Sequence, residues 1–270
     1  MSRADLQAMF ARAKSEGRAV LMPYMMAGIP DPERSVEMFE AMAGAGADAF
    51  EVGIPYADPL MDGPVIQRAG AAALAAGTTV DGALEILAEV HRRTGLPCIP
   101  MCYVNPILRR GPDRFAEAAA AAGASGLIVP DLPVDEAAGI AAAADRHGLG
   151  MVLFAAPTTT DARLTRLGAL DPVFVYGIAE MGVTGERIES GHRAEGLATR
   201  VRAVTRAPLV LGVGISTPEQ AAEAAGVADG VIVGSALVRR VLEAPDAAAA
   251  GAALSAAVGA LRAAVSSGSG

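Results

Sequence analysis

The sequence predicts an α/β fold, a (β/α)8 barrel with an extra N-terminal helix. Eight short apolar runs alternate along the chain with longer, alanine-rich segments of helical periodicity. Continuously apolar strands separated by helices are typical of a parallel sheet that is covered on both faces. The length of 270 residues also suits this barrel, which typically needs about 250 residues. A doubly wound sheet is the alternative fold, although it does not usually need eight strands.

The apolar runs and their turn-forming flanks set the expected element boundaries. Strands are expected at residues 19–25, 48–53, 97–103, 126–130, 150–155, 173–178, 208–212 and 229–233. Helices are expected at residues 32–45, 81–93, 113–122, 134–147, 197–205 and 218–225, among others. We expect residues 2–16 to form the extra helix, which closes the bottom of the barrel. We expect one catalytic domain over residues 1–265 and a flexible tail at 266–270.

Composition and charge narrow the classes of function. The polar start of the chain does not resemble a secretory signal, and no apolar run is expected to reach the ~18 residues of a membrane span. A net charge of −8 argues against nucleic acid as a partner. Cys98 and Cys102 are four residues apart on one predicted strand, roughly 13 Å and too far for a disulfide. Buried free thiols and a cytoplasmic location are therefore expected.

Few residues are suited to cofactor or metal chemistry. The single lysine, Lys14, precedes the first predicted strand and is badly placed for a Schiff base. The three histidines, His91, His147 and His192, lack the close spacing of metal ligands. We therefore expect no cofactor and no metal, and a reaction carried out by carboxylates.

Glycine turns follow the last three predicted strands, at residues 182–185, 212–216 and 234–235. Ser235 is placed to begin a helix, and the free N–H groups of a helix N-terminus bind anions. In this fold, phosphate typically lies at the loops after strands seven and eight. One glycine turn by itself indicates only a short loop, but three at these positions predict a phosphate site.

Two carboxylates lie at and after the second predicted strand. Side-chain alternation places Glu51 inside the barrel, where an ionised carboxylate is costly unless it has a function. Burial raises the pKa of such a group, which suits a general acid and base. Asp62 follows on the next loop, beside Gly63 and Pro64. It is either a second catalytic carboxylate or an ordinary turn residue.

The stretch at residues 50–67 resembles the signature of tryptophan synthase alpha chains. Similar segments follow in order at residues 101–106, 129–136, 182–185, 212–216 and 234–236, so the resemblance spans about residues 19–240. It implies a lyase that splits indole-3-glycerol phosphate into indole and glyceraldehyde 3-phosphate. Glu51 would then be the acid and base, and Asp62 would bind the indole N–H.

The resemblance also implies substrate contacts and a partner. The implied contacts are Tyr24, Met101, Ile128 and Tyr176 around the indole, and Thr184, Gly185, Gly214, Gly234 and Ser235 around the phosphate. The implied partner is the pyridoxal-phosphate-dependent β subunit, in an α2β2 assembly that receives indole through a tunnel. Asp58 and Pro59 match the loop that faces this subunit.

The chain departs from the family pattern after the sixth predicted strand. Ala179-Glu180 stands where relatives usually have a serine and a small or basic residue. Residues 25–30 also differ from the usual pattern. Two alternatives therefore stay open. The chain could be a stand-alone lyase that releases free indole, or a non-catalytic barrel that acts as a partner protein.

Overall fold

The barrel predicted from the sequence is present in the computed structural model, which describes residues 1–178 and 187–267, with the backbone alone at 187–192 and 267. The described residues form one eight-stranded parallel sheet in the order β3-β2-β1-β8-β7-β6-β5-β4. Bridges between Cys98 and Ala124 and between Met101 and Ile128 join its two ends into a barrel. The strands are β1 (Val20–Met26), β2 (Phe50–Gly53), β3 (Cys98–Met101), β4 (Gly126–Leu127), β5 (Gly150–Ala155), β6 (Phe174–Gly177), β7 (Leu209–Leu211) and β8 (Gly230–Val233).

One helix precedes β1, and the others follow the strands and form the outer layer of the barrel. They are α1 (Arg3–Ser15), α2 (Ser35–Gly44), α3 (Pro64–Ala75), α4 (Val80–Thr94), α5 (Val104–Arg110), α6 (Pro112–Ala121), α7 (Ala138–Arg146), α8 (Asp161–Ala169), α9 (Arg187–Val204), α10 (Pro218–Ala225), α11 (Ser235–Glu243) and α12 (Ala247–Ser267). The predicted helix at 134–147 is divided into a 3₁₀ turn at Val134–Glu136 and α7. The predicted strand at 126–130 is shorter, because Ile128 makes only a single bridge and Pro130 has no N–H to donate.

Helix α1 closes the bottom of the barrel, as predicted. Its buried face includes Leu6 and Phe10. The Phe10 ring lies 5.8 Å from the ring of Phe174 at the start of β6. Leu6 lies beside Gly126, and Phe10 also lies beside Gly230, the first residues of β4 and β8. The helix therefore covers the N-terminal ends of the strands and leaves the opposite end open.

A buried aspartate joins the bottom of the barrel to its outer layer. Asp48 is 5% exposed and accepts two hydrogen bonds of 2.9 Å from the Arg18 guanidinium. It also accepts the Leu21 N–H at 2.9 Å and the Arg262 guanidinium at 2.6 Å. These contacts tie the entry of β2 to β1 and to α12. Because every partner is a donor, the charge of Asp48 is well compensated despite its burial.

Helix α12 corrects the expectation that no apolar segment of the sequence reaches the length of a membrane span. Residues 247–266 are long and apolar enough to pass a test for a membrane span by length and composition, because most of them are alanine. One face nevertheless buries Leu254, Val258 and Leu261 and packs against α2, α10 and α11. Arg262 on this helix forms the ion pair with Asp48. These contacts make α12 part of the outer layer of the barrel.

Two further expectations concern the tail and the cysteines. Helix α12 continues to Ser267, so the first two residues of the predicted flexible tail are helical, while residues 268–270 lie outside the described residues. Cys98 and Cys102 are both buried and free, as expected. Burial raises the pKa of the Cys98 thiol to about 12, which keeps it protonated.

We expect Asp48→Ala to lower the free energy of unfolding by about 3 kcal/mol, because it leaves two guanidinium groups without their buried partner. Urea denaturation at neutral pH measures this change. The matched control is Glu85→Ala on the exposed face of α4, which should stay within about 0.5 kcal/mol of the parent. Equal effects of the two substitutions would contradict the structural role of Asp48.

Candidate active site

Glu51 lies inside the barrel on β2, as the side-chain alternation predicts. It is paired in register with Tyr24 of β1 and Ile99 of β3, and it is only 2% exposed. Within the described part of the chain, its Oε2 atom has no hydrogen-bond partner. Burial, and then the nearby charge of Asp62, raise the pKa of Glu51 from 4.5 to about 8. Glu51 is therefore a protonated acid at neutral pH, with one oxygen free for a ligand.

Asp62 lies on the loop between β2 and α3, half-buried and close enough to affect the charge of Glu51. Its N–H donates to the Pro59 carbonyl at 3.1 Å, and its carbonyl accepts the Gln67 amide at 2.9 Å. The backbone is thus part of a turn, and neither of these contacts uses the carboxylate. Burial raises the pKa of Asp62 to about 6, against the opposing effect of a hydrogen bond with Tyr103.

Tyr103 is a site residue that the sequence analysis missed. Its buried hydroxyl accepts the Met61 N–H at 3.0 Å and hydrogen-bonds to the Asp62 carboxylate. The Tyr103 ring stacks on that of Tyr56, with centroids 5.0 Å apart. No motif in the sequence pairs Tyr103 with Asp62, because the contact depends on how the loops after β2 and β3 meet. Tyr103 holds the Asp62 loop in place.

Two predicted site residues, Tyr24 and Tyr176, form buried walls beside the carboxylates. The charges of Glu51 and Asp62, after burial, raise the pKa of both phenols, so both tyrosines lie within electrostatic reach of both acids. A side chain at Gly53 would overlap the Tyr24 hydroxyl, and one at Gly212 would overlap the Tyr176 hydroxyl. These two glycines therefore leave the space that the tyrosine rings occupy.

Met101 and Ile128 complete the apolar wall between β3 and β4. They are paired in a parallel bridge, and both are buried. Tyr176 is stacked on Phe154, with ring centroids 4.9 Å apart, which extends the apolar wall toward β5. The wall offers a planar apolar ring a surface beside two carboxyl groups.

The predicted phosphate turns are described only in part. Ser235 is the first residue of α11 and Gly234 immediately precedes it, so the first N–H groups of that helix are available to an anion. Gly214 has a φ of +76°, in the left-handed region that favours glycine. Thr184 and Gly185, like Ala179-Glu180, lie outside the described residues.

Gln220 is a second residue that the sequence analysis missed. Its buried side-chain oxygen accepts the Ser216 N–H at 2.8 Å, the Ser216 hydroxyl at 2.9 Å and the Thr217 N–H at 3.2 Å. It fixes the loop after β7 against the start of α10. The Thr-x-x-Gln spacing is a capping-box signature, so the sequence did carry this signal.

Two other polar residues order the neighbouring loops. Asp131 accepts the Val104 N–H at 2.8 Å, at the start of α5. The Asn105 amide donates to the Tyr56 hydroxyl at 2.9 Å. In the described part of the chain, no group of three or more histidine, cysteine, aspartate or glutamate side chains is arranged to hold a metal ion.

Known proteins share both the sequence and the fold of this chain. The family model for the tryptophan synthase alpha chain matches residues 10–266. The tryptophan synthase alpha chain of Streptomyces coelicolor is 49% identical over 239 residues, 88% of each chain. This chain belongs to the tryptophan synthase alpha chain family. The family suggested by the motif at residues 50–67 is thereby confirmed, and with it the enzyme class, a carbon–carbon lyase.

Solved structures of tryptophan synthases extend the match to three dimensions. A structure of Mycobacterium tuberculosis tryptophan synthase is 41% identical, covers 96% of this chain and 97% of its own, and gives a TM-score of 0.86. The tryptophan synthase subunit alpha of Legionella pneumophila is 35% identical, covers 98% of both chains and gives a TM-score of 0.88. The barrel predicted from the sequence is therefore the fold of the tryptophan synthase alpha family.

We expect the raised pKa of Glu51 to make the protein less stable as the pH rises. The folded state binds the proton more tightly than the unfolded state, so the stabilisation is complete below about pH 4.5 and is lost as the pH rises through about 8. Glu51→Gln has no such proton to lose. Urea denaturation between pH 4.5 and 8.5 should show the variant gaining stability over the parent by a few kcal/mol. A constant difference would contradict the assignment.

Proposed function

We propose that Glu51 and Asp62 carry out the family reaction in this chain, the cleavage of indole-3-glycerol phosphate to indole and glyceraldehyde 3-phosphate. The observation that carries this proposal is the pair of nearby carboxyl groups with separated pKa values, about 8 for Glu51 and about 6 for Asp62. Near neutrality one of them is an acid and the other a carboxylate. We place this activity in one catalytic domain over residues 1–265.

The reaction needs an electron sink for the bond between indole C3 and the glycerol chain. The Glu51 carboxyl donates its proton to C3, which turns the ring into an indoleninium cation. The Asp62 carboxylate accepts a hydrogen bond from the ring N–H and stabilises the positive charge that develops there. The C3–C1′ bond then breaks and returns its electron pair to the ring. Glu51, now ionised, takes the proton of the C1′ hydroxyl as the aldehyde forms.

The apolar wall of the site and the phosphate turn at the start of α11 together orient the substrate. The indole ring lies between Tyr24, Met101, Ile128 and Tyr176, beside Asp62. The phosphate is held by backbone N–H groups at Gly214, Gly234 and Ser235, and by Thr184 and Gly185. A phosphate at the start of α11 leaves the glycerol carbons between the helix and Glu51. The substrate is thus held at both ends around the acid.

We propose further that the chain works with a tryptophan synthase β subunit in an α2β2 assembly. The loop that carries Asp58 and Pro59 continues into Leu60 and Met61, which are 80% and 58% exposed. Leu108 on α5 is 56% exposed and lines an apolar groove of about 680 Å³ with Leu132 and Pro133. Exposed apolar side chains beside such a groove are typical of a protein interface. Asp62 belongs to the same loop, so docking would bear directly on the catalytic carboxylate.

The cytoplasm is the proposed location. The two buried free thiols suit a reducing compartment, and tryptophan synthesis is a biosynthetic function.

We expect Glu51→Gln to reduce indole release from indole-3-glycerol phosphate by at least about 10³-fold, because it removes the transferable proton. Asp62→Asn should cost about 10²-fold, because a neutral amide stabilises the ring cation less. Coupled detection of indole measures both effects, and Glu85→Gln is the matched control. Unchanged turnover in Glu51→Gln would contradict Glu51 as the acid, whereas no turnover even in the parent protein would favour the non-catalytic barrel.

We expect a purified tryptophan synthase β subunit to increase the rate of indole release, and Leu108→Asp to weaken this effect. A charge buried in the interface without a partner should raise the β-subunit concentration for half-maximal stimulation about tenfold. The control is Leu74→Asp on α3, another exposed leucine, which should have no effect. Fast turnover that does not respond to the β subunit would favour the stand-alone lyase.

A further inference from the structure

A second cavity lies at the bottom of the barrel, at the opposite end from Glu51. It has a volume of about 880 Å³ and is bounded by α1, by the end of α9 and by the segments that enter β1, β6, β7 and β8. Its floor is apolar and includes Phe10, Ala19 and Val173, which are all buried. The proposed lyase reaction uses none of these residues.

The rim of this cavity is basic, although the whole chain carries a net charge of −8. Five cationic side chains line it, against two carboxylates: Arg3, Lys14, Arg18, Arg202, Arg206, Asp171 and Asp229. The chain's single lysine is one of the five. A concentration of positive charge in a concave, partly apolar surface favours the binding of anions.

In the part of the chain that the structure describes, three of the five cations lack a carboxylate partner. Arg3 is paired with Asp171, and Arg18 with Asp48. Among the described residues, Lys14, Arg202 and Arg206 form no ion pair. Arg202 donates one hydrogen bond of 2.9 Å to the Val227 carbonyl, which orients its guanidinium at the cavity edge.

The two carboxylates of the rim compensate the positive charge only in part. The Asp171 carboxylate accepts from Arg3, and the Asp229 carboxylate accepts the Leu209 N–H at 2.8 Å. Asp229 has a structural role at the start of β7. Lys14, Arg202 and Arg206 thus outweigh Asp229, and a net charge of about +2 faces the cavity from two helices and one loop.

We infer that this basic cavity binds a small molecule that carries two or more negative charges on phosphate or carboxylate groups. The guanidinium groups of Arg202 and Arg206 can bind such oxyanions through paired hydrogen bonds, and Lys14 adds a charge from the opposite wall. The apolar floor accommodates a carbon skeleton of modest size. The bound anion would link α1 to the end of α9, independently of the site at the other end of the barrel.

The acetylation rate of Lys14 reports anion binding in this cavity directly, because no other side chain in the sequence carries a primary amine. An anion bound beside it favours the protonated amine and shields it, which slows acetylation by an N-hydroxysuccinimide ester. Peptide mass spectrometry measures the acetylation rate, with an added lysine-containing peptide as the reference. Inorganic pyrophosphate is the probe, and sodium chloride at equal ionic strength controls for screening.

Saturating pyrophosphate should slow Lys14 acetylation by about fivefold in the parent protein. The double variant Arg202→Gln/Arg206→Gln should lose this protection. The control Arg12→Gln/Arg239→Gln removes the same charge from exposed positions outside the cavity. This control should keep the protection of Lys14. Equal protection in both variants, or protection by sodium chloride alone, would overturn the inference. Pyrophosphate bound at the phosphate turn of α11 does not reach Lys14, so the result does not depend on the lyase proposal.

Discussion

The site at the top of the barrel depends on one physical constraint, the burial of the Glu51 carboxyl in the barrel interior. Residue alternation on β2 directs this side chain inward, and the neighbouring strands exclude water from it. An exposed glutamate would be ionised at neutral pH and could not donate a proton. Burial, together with the charge of Asp62, moves the pKa of Glu51 to about 8. The rest of the top of the barrel serves to keep this group dry, protonated and within reach of a ligand.

The second carboxylate differs because its surroundings differ. Asp62 is on a loop, partly open to solvent, and the Tyr103 hydroxyl stabilises its charged form. Two acids of similar intrinsic strength thus take opposite roles. Structural interactions are concentrated at the other end of the barrel, where Asp48 binds Arg18 and Arg262 and α1 covers the strand ends. This division separates most of the structural ion pairs from the loops that carry the site.

Much of this could be predicted from the sequence, because strand alternation and glycine turns are local signals. They predicted the barrel, the inward direction of Glu51 and the turns at Gly214 and Gly234. Tyr103 could not be found in this way, since its contact with Asp62 joins two loops that are 41 residues apart (103 − 62). The apolar length of helix α12 was underestimated from the sequence, and its packing against α2, α10 and α11 is visible only in three dimensions.

The most direct test of the central claim is a measurement of the Glu51 protonation state. Infrared difference spectra between the parent and Glu51→Gln isolate the C=O stretch of this one carboxylic acid. We expect the band to be present at pH 6.5 and to disappear with a midpoint near pH 8. A band that has already disappeared by about pH 5 would show an ordinary, ionised glutamate. In that case Glu51 could not be the acid that begins the cleavage.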